Sequence, residues 1–127
     1  MVVTSSAAER IADDVLSSND EMLAISIIDM KGNILAAKSK ESFKKAFRLT
    51  ADVDKYGATL AVGVFSLVNE VKEFFGEAEA ISTIHKNCKL VMLPIPSYQI
   101  LVGLVLQRDY NIANKIERLL ADAAKRE

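Results

Sequence analysis

Few residues in this 127-residue sequence could support chemistry, and they are scattered along the chain. His85 and Cys88 are each the only residue of their type, and two residues separate them. Such a pair suggests half of a metal site or a Cys–His nucleophile. No third ligand or orienting group is spaced to help in either role. We therefore favour a structural interpretation, in which the histidine ends a strand and the thiol lies beside a turn.

A calcium-binding loop is suggested by one short stretch and excluded by its last position. Asp52, Asp54 and Gly57 occupy the first, third and sixth positions of the EF-hand pattern. The twelfth position requires a bidentate glutamate, and the sequence has Gly63 there. We interpret Asp54 instead as a signal that starts a long central helix.

Close pairs of carboxylates occur at Asp13–Asp14 and at Glu70 and Glu73. Both pairs fall on polar helix faces, where no apolar surroundings would raise a pKa for acid–base catalysis. None of the five glycines belongs to a P-loop or to a GxGxxG motif. The sequence therefore predicts no catalytic residue, no metal site and no cofactor, and the protein is not expected to be an enzyme.

The segment from Lys38 to Arg48 concentrates positive charge. It holds Lys38, Lys40, Lys44, Lys45 and Arg48 against Glu41. Phe43 and Phe47 lie among these cations, and such a combination can bind phosphates and stack on bases. No RNA-recognition motif accompanies it. We favour a solvated connector with both phenylalanines packed beneath it, and contact with an acidic partner protein is a third possibility.

Composition places the chain among globular proteins. Half of its residues are apolar, 26% are charged and the formal net charge is −1, so nothing favours nucleic acid or an anionic membrane. A single cysteine fits a reducing compartment. The longest apolar runs, 90–96 and 100–106, are too short to span a bilayer, and residues 1–6 do not resemble a secretory signal. We expect one domain over residues 1–127, cytoplasmic and without membrane insertion.

Hydrophobic periodicity predicts eight elements in the order α-β-β-α-β-β-β-α. A capping box at Ser6 and Glu9 opens the first helix, and a turn over Asp29–Asn33 joins the first two strands. Met22–Ile28 and Tyr98–Leu106 are almost wholly apolar and should be neighbours in the middle of one sheet. Pro94 and Pro96 should limit strand pairing. The expected fold is α+β: a three-layer α/β/α sandwich whose five-stranded sheet is mainly antiparallel, with the central helix on one face and both terminal helices on the other.

The central helix, predicted over Tyr56–Gly76, has two apolar faces. We expect a broad arc to cover the sheet, formed by Leu60, Val64, Leu67, Val68, Val71, Phe74 and Phe75. A second stripe contains Ala58, Val62 and Phe65 and continues to Asn69. This stripe needs a cover, either a second copy of the helix or a loop of the same chain.

These features together resemble the roadblock/LC7 family, a branch of the profilin-like folds. The resemblance rests on the opening amphipathic helix, the hairpin AISIIDMKGNILAA with its D-x-x-G turn, the long apolar helix, the hairpin KLVMLPIPSYQILVGLVLQ and the amphipathic final helix. It covers essentially the whole chain, although Lys38–Lys55 is longer than the family usually has there.

The resemblance implies a non-enzymatic platform that forms a homodimer and binds a small Ras-like GTPase. In such dimers the central helices lie side by side and edge strands join two sheets into one. Carried onto this sequence, the implied dimer interface is Ala58, Ala61, Val62, Phe65 and Asn69 on the helix, with Ile81 and Thr83 on the edge strand Ala80–His85. The implied GTPase-binding surface is Thr59, Gly63, Ser66, Glu70 and Glu73.

Two other functions stay open at this point. A profilin-like or PAS-like sensor would hold a small ligand between sheet and helix, in a pocket expected to involve Phe74, Phe75 and Leu104. An unrecognised enzyme built around His85 is the weakest alternative.

Overall fold

The computed structural model describes residues 3–47, 52–107 and 112–125. Its order of elements follows the predicted one, except that two short helices, Glu41–Phe47 and Lys72–Phe75, flank the central helix. The strands are β1 (Met22–Asp29), β2 (Ile34–Ser39), β3 (Ile81–Ile84), β4 (Lys89–Ile95) and β5 (Ile100–Leu106). The helices are α1 (Ser5–Ser18), α2 (Glu41–Phe47), α3 (Asp52–Asn69), α4 (Lys72–Phe75) and α5 (Ile112–Lys125).

The five strands form one antiparallel sheet in the order β2-β1-β5-β4-β3. The two apolar strands β1 and β5 are neighbours, as predicted, and β3 lies at one edge. Side chains alternate between the faces, so Ile27 packs under α1 while Ile28 packs under α3. Helices therefore lie on both faces, which confirms the predicted α+β sandwich.

Helix α1 covers one face of β1 and β2, which we call the α1 face. Ala8 and Ala12 are fully buried there. The predicted capping box at Ser6 and Glu9 is wrong, because the helix begins one residue before Ser6. Thr4 is the N-cap instead, and its hydroxyl oxygen accepts a 3.2 Å hydrogen bond from the backbone N–H of Ala7.

The turn between β1 and β2 is built around Asp29, as the sequence predicted. One carboxylate oxygen accepts 2.9 Å hydrogen bonds from the backbone N–H groups of Lys31 and Asn33. The other oxygen accepts one from the Asn33 side chain. These bonds, the side-chain bond foremost, hold the pKa of Asp29 below its usual value. Gly32 occupies a left-handed conformation with φ of 92°, which an L side chain rarely adopts.

Pro94 lies within β4 and limits strand pairing, as the sequence predicted. Strand β3 pairs with β4 only as far as the partners Ile81 and Met92, so Pro94 faces β5 alone. A proline has no N–H to donate, and here no further strand would need one. A short 3-10 turn, Pro96–Tyr98, then leads into β5.

The final helix differs from the expectation that both terminal helices cover the α1 face. Every side chain of α5 from residue 116 onward is exposed, including Ile116, Leu119 and Leu120. The amphipathic pattern correctly indicated a helix, but it contains no information on which surface the apolar stripe meets. The predicted cap Asp109 lies outside the described residues. Within the described ranges, no helix is both long and apolar enough to cross a membrane.

Candidate functional site

Helix α3 meets the sheet through its smallest side chains. Ala58 and Ala61 are 5% and 6% exposed and pack with Ile28, Leu101 and Met92. We call this side of the sheet the α3 face. Both alanines were expected to contact a second copy, but their own sheet already buries them, so little of either side chain is left for a partner.

The rest of the expected pairing stripe divides between the protein's own core and the solvent. Val62 and Phe65 are half-buried and pack against the cluster around Ala58. Val62 also lies near the β1–β2 turn, with its Cγ2 3.6 Å from where a β-carbon on Gly32 would be. Asn69, at the end of α3, is exposed. Periodicity therefore identified the apolar stripe, but the surface that partly buries Val62 and Phe65 is the protein's own core.

The broad arc that was expected on the sheet is largely exposed instead. Leu67 is 67% exposed, and Phe74 and Phe75 are 81% and 83% exposed. The helix does not continue to Gly76, because after Asn69 the chain turns through Glu70 and Val71 and restarts as α4. The N–H groups of these two residues bond to carbonyls three residues back, which tightens the last turn of α3. We define the outer apolar arc as Leu67, Val71, Phe74 and Phe75.

The outer apolar arc of α3 begins on the side of the helix that faces away from the β1–β2 turn. Leu60 lies on the same flank as Leu67, about 160° around the helix from Val62. Val62, by contrast, is directed toward the opposite side, near β1 and β2. The flank that carries Leu60 and Leu67 therefore points away from the β1–β2 turn, and β3 is the strand of the sheet farthest from β2.

Strand β3 is the edge that the predicted interface requires. Ile81 and Thr83 pair with Met92 and Leu90, so both side chains lie on the α3 face. Ile81 packs at the margin of the core beneath α3. The Thr83 hydroxyl lies 3.0 Å from Nε2 of His85. Along its other side, β3 pairs with no strand in the described part of the chain.

The five residues carried over as a GTPase-binding surface are all exposed. They are Thr59, Gly63, Ser66, Glu70 and Glu73. The Ser66 hydroxyl donates a 2.9 Å hydrogen bond to the Val62 carbonyl, one turn back along the helix. By helical phase, the four residues from Thr59 to Glu70 form the flank of α3 opposite the buried Ala61, and Glu73 lies on α4. This polar flank is continuous and acidic toward its end.

His85 and Cys88 close the β3–β4 hairpin, as the structural interpretation predicted. The His85 N–H donates to the Cys88 carbonyl at 2.9 Å. Burial raises the pKa of the Cys88 thiol, which keeps it protonated and a weak nucleophile. No three His, Cys, Asp or Glu side chains among the described residues are grouped to hold a metal ion.

The basic segment is partly tied to the rest of the fold. The Lys40 ammonium donates a 2.8 Å hydrogen bond to the Asn19 carbonyl, and Lys38 lies 3.9 Å from the Asp13 carboxylate. Phe43 is only 7% exposed, so its ring is not presented for stacking on a base. The side chains of Phe47 and Arg48 lie outside the described residues.

The pocket expected for a sensor is not where the sequence suggested. Phe74 and Phe75 are in solvent, and a cavity of about 370 Å³ lies on the α3 face. Leu104 borders it, but the Leu104 side chain packs on the α1 face. Sequence reasoning missed most of the cavity lining, including Ser26 and Gly103. Two small residues inside otherwise apolar strands were the signal that could have indicated it.

Comparison with solved structures finds the same arrangement of elements elsewhere. A roadblock/LC7 domain from Streptomyces avermitilis superposes with a TM-score of 0.65 at 14% identity, over 83% of this chain and 82% of that chain. The gliding protein MglB from Thermus thermophilus gives 0.64 at 19% identity, over 89% and 82%. An MglB with a tetrameric arrangement gives 0.63 at 20% identity, over 84% and 77%.

Sequence comparison adds no relative. No protein-family model matches the chain, and no curated protein matches it significantly. At 14–20% identity the structural likeness establishes the fold alone.

Proposed function

We propose that this chain, which has the roadblock/LC7 fold, is a non-catalytic homodimeric scaffold or regulator that binds a small Ras-like GTPase. One observation carries the proposal. The outer apolar arc is exposed on α3 and α4, on the same side of the molecule as the unpaired edge strand β3. A second copy covers both features at once, because its helix can lie beside α3 while its edge strand pairs with β3.

The dimensions of the α3 face leave room for that second helix. Five strands spaced about 4.8 Å apart give a sheet about 19 Å across between its outer strands. A helix with its side chains is about 10 Å wide. Helix α3 has its main strand contacts with β1, β2 and β5 and also packs on Met92 of β4 and Ile81 of β3, so the partner helix would lie beside it, over the outer part of β4 and β3. Pairing of β3 from one copy with β3 from the other would join the two sheets into one continuous ten-stranded sheet.

The proposed interface differs from the one carried over from the family. Leu67, Val71 and Phe74 replace Ala58 and Ala61, while Ile81 and Thr83 on β3 keep their role. Val62 and Phe65 belong to the protein's own core. A contiguous exposed apolar patch on a globular protein commonly marks an interface with another protein.

The partner surface proposed for the GTPase is the polar flank of α3 with Glu73. It lies on the side of α3 away from the sheet, so it stays accessible when a second copy covers the outer apolar arc. Glu70 and Glu73 give it a negative rim that would attract a basic patch on the partner. This partner surface is supported by the fold and by the exposure of all five residues.

Two neighbouring substitutions test the proposal. Leu67→Asp places a charge in the outer apolar arc, and Ser66→Asp adds the same charge one residue away on the polar flank. Light scattering after size exclusion should give twice the chain mass of 13.9 kDa for the wild type and for Ser66→Asp. Leu67→Asp should give a folded monomer.

Binding of the GTPase is then measured with small Ras-like GTPases from the same genome, each loaded with GDP or with a GTP analogue. The wild type should bind at least one of them, whereas Leu67→Asp should lose binding with the dimer. Ser66→Asp should stay dimeric yet bind more weakly, since its charge falls within the partner surface. A wild type that is strictly monomeric at tens of micromolar, or a dimer that binds no GTPase, contradicts the proposal.

A further inference from the structure

The cavity on the α3 face is bounded by six elements in the described part of the fold, among them β2, which contributes Ser39. Strands β1, β5 and β4 form its floor. Helix α2 contributes Phe43 and helix α3 contributes Leu60 and Ala61, while Cys88 lies at the start of β4. Its volume of about 370 Å³ is within the range of small-molecule sites in proteins.

The floor is deepest at a pair of small residues in the middle of the sheet. Ser26 and Gly103 are cross-strand partners on β1 and β5. A β-carbon on Gly103 would lie 3.0 Å from the Ser26 hydroxyl oxygen, so a larger residue would crowd that hydroxyl. Because Gly103 has no side chain, the Ser26 hydroxyl stays uncovered. The neighbouring large side chains on this sheet face are Ile28 and Leu101.

Two hydroxyls can be reached from this cavity. Ser26 and Ser39 both line it, and in the described part of the chain neither side chain has a hydrogen-bond partner. No buried polar side-chain atom of the described residues lacks a partner, so neither hydroxyl is sealed from solvent. A molecule in the cavity could therefore exchange hydrogen bonds with both of them.

The lining determines the charge of what fits. Among the described residues that line the cavity, none is a lysine, arginine, aspartate or glutamate. Because burial raises the pKa of Cys88, the thiol is neutral as well. An ionised ligand would lose hydration here without gaining a counter-charge, and that loss is costly in apolar surroundings. The lining thus favours a neutral, mainly apolar molecule.

The volume limits the size of the ligand. An engineered apolar cavity of about 150 Å³ accommodates benzene. The present cavity, at about 370 Å³, is large enough for a fused two-ring molecule. We propose that it binds a neutral, largely apolar molecule of this size through packing on the sheet and a hydrogen bond between a ligand hydroxyl and Ser26. The outer apolar arc and the polar flank of α3 are not part of this site.

The probe for this site is 2-naphthol, a neutral two-ring alcohol. The chain contains no tryptophan, so probe fluorescence can be followed without indole emission from the protein. Saturable binding to one site per chain is expected. Cys88→Phe, which fills the cavity from its rim, should weaken binding at least tenfold. Asn87→Phe is the matched control, since Asn87 is exposed, adjacent and outside the lining, and it should change the affinity by less than twofold.

The hydroxyl contact is tested separately with Ser26→Ala. Loss of one hydrogen bond should weaken 2-naphthol about two- to tenfold, while naphthalene, which has no hydroxyl, should bind equally well to both proteins. Circular dichroism and thermal melts confirm that each variant is folded. No saturable binding to the folded wild type, or equal weakening by the two phenylalanine variants, overturns the site. A wild type that dimerises but does not bind 2-naphthol refutes the cavity proposal and leaves the proposed function standing.

Discussion

Truncating Leu67 to alanine should weaken self-association and leave the folded chain intact. Leu67 belongs to the outer apolar arc and is 67% exposed. Since little of the side chain contacts its own protein, its removal creates no cavity in the monomer. Alanine is also the best helix former, so the change in unfolding free energy should stay within about 0.5 kcal/mol.

The expected loss of affinity follows from the exposed area. Complete burial of a leucine side chain contributes about 1.5–3 kcal/mol. With two-thirds of it available for a partner, and with alanine keeping the β-carbon, each copy should lose about 1 kcal/mol. A symmetric interface contains Leu67 twice, which gives about 2 kcal/mol, or about a thirtyfold rise in the dimer dissociation constant.

Phe65→Ala is the informative comparison, because Phe65 lies on the opposite side of the same helix. It packs against the cluster beneath α3, so its truncation should lower the unfolding free energy by about 2 kcal/mol or more. In the original assignment from the sequence, Phe65 met the second copy. The two assignments therefore predict opposite behaviour for this pair of variants.

Sedimentation equilibrium over a dilution series measures the dissociation constant, and urea unfolding measures stability. Leu67→Ala should shift the dissociation constant and leave the urea midpoint of the monomer unchanged. If Phe65→Ala abolished the dimer at unchanged stability while Leu67→Ala had no effect, the phase of α3 described above would be refuted.

Two further predictions concern the fold. Thr4→Ala should lower the unfolding free energy by about 1 kcal/mol, because it removes the N-cap of α1. Ser6→Ala should change the unfolding free energy by less than about 0.5 kcal/mol. If urea unfolding showed the larger loss for Ser6→Ala, Ser6 and not Thr4 would be the N-cap. Asp29 has a pKa below its usual value in the folded chain, so its contribution to stability is complete above the unfolded-state pKa and is lost as pH falls through the folded-state pKa. Thermal melts between about pH 6 and pH 2 should therefore depend less on pH for Asp29→Asn than for the wild type, and equal pH dependence in the two proteins would contradict this role.

The sheet could be predicted from the sequence because each of its signals is local. Strand β1 is apolar on both faces, Asp29 and Gly32 specify the turn, and Pro94 limits pairing to one neighbour. These features fix the order of elements and place β1 beside β5. The resemblance to the roadblock/LC7 family, inferred from the same patterns, is confirmed at the level of the fold.

The orientation of α3 could not be predicted, because both of its faces are apolar. Periodicity alone favoured the larger arc for the sheet. The structure uses Ala58 and Ala61 instead, since small side chains let the helix backbone lie close to the strands. The cavity was missed for a similar reason: Ser26 and Gly103 are far apart in sequence, and only strand register makes them partners.

The two edges of the sheet differ in a way that limits how many copies can join. Strand β2, at the far edge, carries Lys38, and a charged lysine on an edge strand discourages the addition of another strand. Strand β3 consists of Ile81–Ile84 without a charged residue, and it offers four residues for pairing. Association through β3 about a two-fold axis would pair the uncharged edge strand of one molecule with that of the other. The sheet of such a dimer would end at β2 on either side, where Lys38 would disfavour the addition of a further strand.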